Sequence, residues 1–199
     1  MIGEPEHTEG QGTTGGPPRA RVGLAGGPPL VLFGFMGAGK TTVGRCVAAR
    51  LGVPFTDSDH VIVAEQGRSI RQIFADVGEA AFRAIEHDVI QRLLVEQHGV
   101  LALGGGAVMH PGTQDLLREH PLTIHLAVTL EHALARCGDD PGRPMLRRPD
   151  LADLYARRTA AYDAVATVVQ PTDGLDGAAV CEQVLRVLEG RWAASATQV

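Results

Sequence analysis

A short apolar run that leads directly into a glycine-rich motif constrains the fold of this chain more than any other feature. Leu30–Phe33 are all apolar but too few for a helix, which indicates a buried strand. Residues 34–41 read GFMGAGKT and fit the pattern Gly-X4-Gly-Lys-Ser/Thr. Small and apolar side chains then recur at helical spacing over Lys40–Leu51, and Gly52 follows as a stop signal. A strand, a glycine-rich turn and a helix in this order predict a phosphate-binding loop.

The motif supplies the groups that a triphosphate needs. Its glycines let successive backbone N–H groups face inward around an anion, and the N-terminus of the following helix adds partial positive charge. Lys40 is placed to meet the β and γ phosphates, and the hydroxyl of Thr41 to ligate Mg²⁺. The sequence therefore predicts binding of a nucleoside triphosphate with magnesium, through Gly37, Ala38, Gly39, Lys40, Thr41 and Thr42.

Charge and composition exclude several classes of nucleotide-binding protein. The formal net charge is −5, so the chain lacks the basic excess of proteins that track nucleic acid phosphates. Asparagine is absent, which excludes the Asn-Lys-X-Asp sequence by which many GTPases read guanine. No Asp-X-X-Gly element follows a strand at the expected place. A nucleotide-dependent switch is therefore disfavoured against an enzyme.

The number and spacing of the cysteines and the hydropathy of the chain predict its cellular compartment. The three cysteines, Cys46, Cys137 and Cys181, are far apart and odd in number, and no Cys/His ligand spacing occurs, so neither a disulfide framework nor a structural zinc site is expected. No apolar run reaches the roughly 18–20 residues of a membrane span, and the acidic, glycine-rich start does not resemble a signal peptide. A cytoplasmic protein without membrane or nucleic acid partners is expected.

Short apolar strands and amphipathic helices alternate along the rest of the chain. Strands are predicted at 53–57, 100–103, 122–128 and 166–169, and helices at 69–97, 130–136, 151–162 and 177–188. The long helix should break near Gly78. Continuously apolar strands in such an alternation predict an α/β fold, in which helices cover both faces of a parallel sheet.

Two aspartates stand at the end of the second predicted strand. Asp57 and Asp59 are two residues apart, so their side chains share one side if the strand persists that far. Beside a triphosphate, one carboxylate could hold Mg²⁺ through water while the other orients or deprotonates an attacking hydroxyl. Asp57, Ser58 and Asp59 are also good helix N-cap residues, so a capping role stays open.

Glycine and arginine mark three more places. Residues 104–106 are consecutive glycines at the carboxyl end of a predicted strand, the edge where open α/β sheets bind ligands. Arg83 and Glu86 share one helix face and can pair, as surface residues commonly do. The Gly- and Arg-rich segment 138–149 predicts either a solvated loop or a lid that brings Arg143 onto a transferring phosphoryl group.

Six motifs occur in order along residues 30–189: the phosphate-binding loop at 34–44, Asp57-Ser-Asp59, FRAIE at 82–86, LGGGAV at 103–108, RPML at 143–146, and Arg158 near Tyr162. Together they resemble the shikimate kinase family over nearly all of this range. The resemblance implies a three-layer P-loop kinase fold, with a five-stranded parallel sheet flanked by helices and a mobile lid. It also implies transfer of the ATP γ-phosphoryl group to the 3-hydroxyl of shikimate, with Mg²⁺ as cofactor. Separately, a monomer is expected.

By position, the resemblance assigns a role to each site residue. Catalytic roles fall to Lys40, Asp59 and Arg143, ATP binding to residues 37–42 with Arg136 and Arg143, shikimate binding to Asp59, Arg83, Gly105 and Arg158, and metal binding to Thr41 and, through water, Asp57. Glu86 would hold Arg83 in place, while Phe74 and Phe82 would line the pocket. A kinase of another small polyol or cyclitol on the same scaffold, such as a gluconate kinase relative, stays open.

Glycine and proline content predicts the domain organisation. Residues 1–29 hold eight glycines and five prolines, with little to bury, and predict a flexible N-terminal tail. Residues 30–190 are expected to form one kinase domain with its lid at about 138–150. Residues 191–199 are expected to form a C-terminal tail.

Overall fold

The structure, a computed structural model, describes residues 26–138 and 148–196. At its centre lies one parallel sheet of five strands: β1 Leu30–Phe33, β2 Phe55–Asp57, β3 Val100–Ala102, β4 Thr123–Ala127 and β5 Val168–Pro171. The strand order is β2-β3-β1-β4-β5, and each neighbouring pair is parallel, which requires crossover connections. The predicted α/β fold with a five-stranded parallel sheet is confirmed.

Seven helices of the described residues flank the sheet. They are α1 Lys40–Leu51, α2 Ser58–Gln66, α3 Ile70–Glu96, α4 Pro111–Glu119, α5 Leu130–Cys137, α6 Leu151–Asp163 and α7 Gly177–Ala196. The predicted break in α3 is confirmed, because Gly78 has a φ of 78° and interrupts the helical backbone. Helix α7 continues past its predicted end at Leu188. Among the described helices, none has the length and apolar character to cross a bilayer.

The central strands are fully buried, and their pairing shows which residues reach the carboxyl edge of the sheet. Every residue of β1 and β3 is buried, as expected for apolar strands in a parallel sheet covered on both faces. Leu32 of β1 pairs with Ala102 of β3, and Phe33 with His125 of β4. Asp57 at the end of β2 also pairs with Ala102. The carboxyl ends of β1, β2 and β3 therefore meet at one edge of the sheet.

A disulfide joins Cys46 of α1 to Cys181 of α7, which corrects the expectation that the cysteines are unpaired with one another. The two Cα atoms are 6.1 Å apart although 135 residues separate them along the chain. Sequence spacing could not reveal the pair, because α1 and α7 become neighbours only when the sheet forms. The third cysteine, Cys137, is buried and lies outside this disulfide.

Reduction of this disulfide should lower the thermal stability of the protein. A cross-link that closes a long loop stabilises the fold by about 2–5 kcal/mol, largely by restricting the unfolded chain. For a chain of this length that corresponds to a Tm lower by roughly 5–15 °C in reductant. Thermal unfolding with and without dithiothreitol measures the difference. In the double variant C46A/C181A the reductant should have no effect, and an equal response of both proteins would contradict the prediction.

Candidate active site

A cavity of about 940 Å³ opens at the sheet edge where β1, β2 and β3 end. Its lining comes from the phosphate-binding loop, the end of β2, the glycines after β3, and helices α3 and α6. All predicted site residues that the structure describes line this cavity: Gly37, Ala38, Gly39, Lys40, Thr41, Thr42, Asp57, Asp59, Arg83, Gly105, Arg136 and Arg158. Arg143 and most of the predicted lid lie outside the described residues.

The phosphate-binding loop follows β1 and ends at the first turn of α1. Gly39 is the N-cap of α1 and has a φ of 88°, a left-handed conformation that favours glycine. The Nζ atom of Lys40 donates hydrogen bonds to the carbonyls of Gly34, at 3.0 Å, and Phe35, at 3.2 Å. The lysine side chain therefore lies back along its own loop, where a phosphate held by the loop would meet its charge.

Thr41 and the two aspartates form a second group of polar side chains. The hydroxyl of Thr41 donates to Oδ2 of Asp57 at 3.1 Å, and the backbone N–H of Asp59 donates to Oδ1 of Asp57 at 3.1 Å. Asp57 is thus the N-cap of α2, and its other oxygen contacts the phosphate-binding helix. The two alternatives that the sequence left open for Asp57, capping and a place in the site, are compatible.

The carboxyl group of Asp59 has an altered proton affinity. Burial raises its pKa from the ordinary value of 3.8, and the negative charge of Asp57 raises it further. The positive charges of Lys40 and Arg83 act in the opposite direction. A carboxylate with a raised pKa is a stronger base, which suits a group that must accept a proton from a hydroxyl.

The three consecutive glycines leave room for charged side chains. A methyl group on Gly104 would overlap Oδ1 of Asp59 and would come within 2.7 Å of Oε1 of Glu86. A methyl group on Gly106 would overlap the guanidinium of Arg83. Glycine at both flanking positions therefore leaves space for these side chains, and even alanine would displace them, a constraint that a simple turn would not impose.

Arg83 lies on α3, and its guanidinium is held in place by an ion pair and by two aromatic rings. It forms an ion pair with Glu86, whose side chain is almost fully buried, and it lies over the rings of Phe74 and Phe82, 5.5 and 5.2 Å from their centroids. Burial raises the pKa of Glu86 to about 7, although Arg83 lowers it. The pair is not an exposed surface ion pair, because the side chains of Arg83 and Glu86 are 12% and 2% exposed.

A second arginine reaches the same end of the cavity from α6. Arg158 is 5% exposed, and its guanidinium lies 5.9 Å from the ring centroid of Phe35. Burial lowers its pKa. The Nε atoms of Arg83 and Arg158 are buried and have no hydrogen-bond partner among the described residues. Two such guanidinium groups suit a planar carboxylate, which accepts paired hydrogen bonds from a guanidinium fork.

Arg136 lies at the opposite end, beside the phosphate-binding loop. Its guanidinium donates to the carbonyl of Gly37 at 3.2 Å, to Oγ1 of Thr172 at 3.0 Å and to the carbonyl of Leu175 at 3.0 Å. It therefore ties the phosphate-binding loop to the segment that follows β5. Packing of Arg136 on an adenine ring stays a prediction.

Two arginines that line the cavity were missed in the sequence, and Tyr162 was named only as part of a motif with no role assigned to it. Arg71 and Arg148 line the cavity, and Tyr162 donates its hydroxyl to the carbonyl of Gly105. Arg148 makes two hydrogen bonds of 2.8 Å to Asp150. Arginine is common in this chain, so composition could not single out these two, and an interior tyrosine is indistinguishable from core in a helical pattern.

The fold and site together define a class of protein. The phosphate-binding loop follows the central strand of a parallel sheet, and buried groups that fit a small anion face it across the cavity. This is the arrangement of a P-loop kinase of small molecules. Residues 36–189 match the family model described as shikimate kinase. The chain belongs to the shikimate kinase family. It is therefore a kinase that phosphorylates shikimate with ATP, as the sequence motifs predict.

Individual relatives agree with the family assignment. A shikimate kinase of Streptomyces coelicolor is 42% identical over 163 residues, which cover 80% of this chain and 95% of the relative. The solved shikimate kinase of Acinetobacter baumannii in complex with shikimate superposes with a TM-score of 0.79 at 33% identity, over 86% of this chain and 98% of that one. A gluconokinase of Sinorhizobium meliloti superposes with a TM-score of 0.58 at 19% identity, over 86% of this chain and 97% of that one, which shows the shared fold alone. The alternative of another polyol kinase is not favoured.

Proposed function

We propose that this cavity holds ATP and shikimate together and transfers the γ-phosphoryl group to the 3-hydroxyl of shikimate. The observation that carries the proposal is the arrangement of charge in one cavity. Lys40 and the phosphate-binding loop lie at one end, and Arg83 with Arg158 at the other. Asp59 is within electrostatic reach of both Lys40 and Arg83. The γ-phosphoryl group of ATP and the hydroxyl of shikimate would thus meet beside the carboxylate of Asp59, which can accept the proton of that hydroxyl.

Residues 37–42 would bind the triphosphate, with Lys40 meeting its β and γ phosphates. Thr41 and Asp57 fit a magnesium site, because a hydroxyl and a carboxylate already joined at 3.1 Å are the oxygen ligands that this ion prefers. When bound, Mg²⁺ neutralises charge that develops between the phosphates. Asp57 would act through a water molecule and Thr41 directly. Arg136 would pack on the adenine, and Arg143 would reach the transferring phosphoryl group.

Shikimate would be held both at its carboxylate and at its ring hydroxyls. Arg83 and Arg158 would bind the carboxylate, and Gly105 would add a backbone contact. Glu86 would keep Arg83 in position, since its buried carboxylate is paired with that guanidinium. Asp59 would contact the ring hydroxyls and remove the proton from the 3-hydroxyl as the oxygen of that hydroxyl bonds to the γ-phosphorus. The bond between this phosphorus and the bridging oxygen breaks, so that ADP leaves and the proton ends on the carboxylate.

We place the enzyme in the cytoplasm as a monomer that takes only small-molecule substrates. The net charge of −5 argues against nucleic acid as a partner. In a reducing compartment the Cys46–Cys181 pair is expected as two thiols. Light scattering after size-exclusion chromatography, with reductant present, tests the monomer.

A substrate panel tests the proposed reaction. ADP release is measured with ATP and Mg²⁺ in the presence of shikimate, quinate, gluconate or a neutral cyclitol. Release should depend on shikimate and should be far slower with the other compounds. ADP release that shikimate does not accelerate would contradict the proposal. Preference for a neutral cyclitol would contradict the binding of a substrate carboxylate by Arg83 and Arg158.

Removal of the Arg83 guanidinium should weaken shikimate binding selectively. We expect Arg83→Ala to raise the KM for shikimate by about 20–100-fold, because a charge-assisted, desolvated contact is lost and Glu86 is left without its partner. The KM for ATP should change less than about twofold, since Arg83 lies at the other end of the cavity. Arg92→Ala is the matched control on the same helix, because Arg92 is partly exposed, does not line the cavity and pairs with Glu65 and Glu96. An unchanged KM for shikimate in Arg83→Ala would rule out a contact between Arg83 and the shikimate carboxylate.

A further inference from the structure

The two tyrosines of the chain make the same kind of hydrogen bond at different places. Both lie on α6, and each donates its hydroxyl to a backbone carbonyl. Tyr155 donates to Val128, just after β4, at 3.0 Å. Tyr162 donates to Gly105, at the end of β3. Gly105 lines the cavity, whereas Val128 does not. One tyrosine therefore reaches the proposed shikimate end, and the other provides a matched comparison.

The ring of Tyr162 is held firmly in the core. The residue is fully buried, with the ring of His125 5.0 Å and that of Phe33 5.9 Å from its own centroid. His125 is itself held by Asp163, because its Nδ1 lies 2.8 Å from Oδ1 of that residue. A phenol hydroxyl buried in this way needs a partner, and Gly105 provides it. Burial also raises the pKa of Tyr162, so the hydroxyl keeps its proton.

The hydrogen bond determines the orientation of a glycine peptide. The carbonyl of Gly105 and the N–H of Gly106 belong to one planar unit, and the structure contains no cis peptide in its described part. A donor that fixes the carbonyl therefore directs the N–H of Gly106 to the opposite side. A backbone hydrogen bond from the N–H of Ala107 to the carbonyl of Gly104 already turns the chain around this peptide. Within that turn the hydroxyl of Tyr162 holds the carbonyl of Gly105, at a point where glycines allow more backbone freedom than other residues.

The same hydroxyl links two parts of the proposed carboxylate site. Tyr162 and Arg158 are four residues apart on α6, and so lie on the same face of the helix. A methyl group on Gly105 would lie 3.8 Å from Nη1 of Arg158 and 3.9 Å from the hydroxyl of Tyr162. The backbone of the glycine segment and the guanidinium on α6 are therefore set at a fixed separation through Tyr162.

We propose that Tyr162 is a positioning residue for shikimate, which acts by holding the Gly105–Gly106 peptide in register with Arg158. The proposal rests on the proposed function, since it takes Gly105 and Arg158 as shikimate contacts. Tyr162 itself is fully buried and does not line the cavity, so it would act on shikimate through Gly105 and Arg158. Its loss should therefore weaken the recognition of shikimate and leave the nucleotide end unaffected.

The test compares Tyr162→Phe with Tyr155→Phe. Each variant keeps its ring and loses one hydroxyl that donates to a carbonyl. We expect Tyr162→Phe to raise the KM for shikimate about tenfold, the size of effect expected for one buried hydrogen bond. The KM for ATP and kcat at saturation should stay within about twofold of the unchanged protein. Tyr155→Phe should leave both KM values unchanged.

Two outcomes in the kinetics would overturn the proposal. One is an unchanged KM for shikimate in folded Tyr162→Phe, and the other is an equal rise in both variants, which would indicate a general loss of stability. Turnover of shikimate by the unchanged protein is measured first. Its absence would contradict the proposed function, whereas turnover with a normal KM in Tyr162→Phe contradicts only the positioning role.

A second measurement does not depend on whether Tyr162→Phe folds. The chain has two tyrosines, so labelling with 3-fluorotyrosine gives two fluorine resonances. Saturation with shikimate should shift the resonance of Tyr162 and leave that of Tyr155 in place, with assignment by Tyr155→Phe. A Tyr162 resonance that shikimate does not move would overturn the proposal.

Discussion

Lys40→Arg should lower kcat by about 100–1,000-fold, the loss expected when one preorganised positive group no longer meets charge that develops in the transition state. Lys40 is the single lysine among 18 basic residues. Its Nζ atom donates hydrogen bonds to two carbonyls of its own loop, at 3.0 and 3.2 Å, so its charge is held against that loop. A guanidinium carries the same charge but is planar and bulkier, and the loop offers it no equivalent position.

Steady-state kinetics with saturating shikimate measure this effect. Arg45→Lys is the matched control, because Arg45 lies on the same helix, is exposed, and rests over the ring of Phe55. That variant should keep near-normal turnover and a similar Tm. Near-normal turnover of Lys40→Arg would show that charge alone, and not the compact ammonium, is what the loop requires.

The phosphate-binding loop and the sheet were predictable because their signals are local. The strand Leu30–Phe33, the motif at 34–41 and the helix that begins at Lys40 are contiguous, and each follows from neighbouring residues. The break at Gly78 is likewise a local property of one glycine. Helix α2 escaped prediction because only Ser58 and Ile62 are buried in it, too few to produce a helical pattern.

Features that depend on long-range contact were not predictable from patterns. Cys46 and Cys181 are neighbours only after α1 and α7 pack against each other. The glycines at 104–106 were expected to permit close approach by a ligand, but the structure shows that protein side chains also occupy that space, with Asp59 against Gly104. The link between Tyr162 and Gly105 spans 57 residues and leaves no trace in periodicity.

Asp59→Asn should lower kcat by about 10²–10⁴-fold, since general-base catalysis contributes rate enhancements of that order. The replacement keeps the shape of the side chain and removes its ability to accept a proton. It also removes a buried negative charge next to Asp57, so the Tm at neutral pH should be equal to or above that of the unchanged protein. A loss of rate would therefore not reflect unfolding.

Asp57→Asn separates the roles of the two aspartates. Asp57 contacts Thr41 and caps α2, so its amide variant should need more Mg²⁺ for half-maximal rate and should recover part of its activity at high Mg²⁺. Additional Mg²⁺ should not restore Asp59→Asn. If magnesium rescued both variants alike, the assignment of the base to Asp59 would be wrong.

The pH dependence provides the most direct test of the base. Asp59 can accept a proton only when ionised, and burial together with Asp57 raises its pKa above the ordinary value of 3.8. As pH falls, the enzyme should therefore lose kcat/KM at a higher pH than an ordinary aspartate would dictate. In Asp59→Asn the small residual rate should lack this acidic limb, although ATP and shikimate titrate in both proteins. An acidic limb of the same position and depth in Asp59→Asn would show that another group accepts the proton.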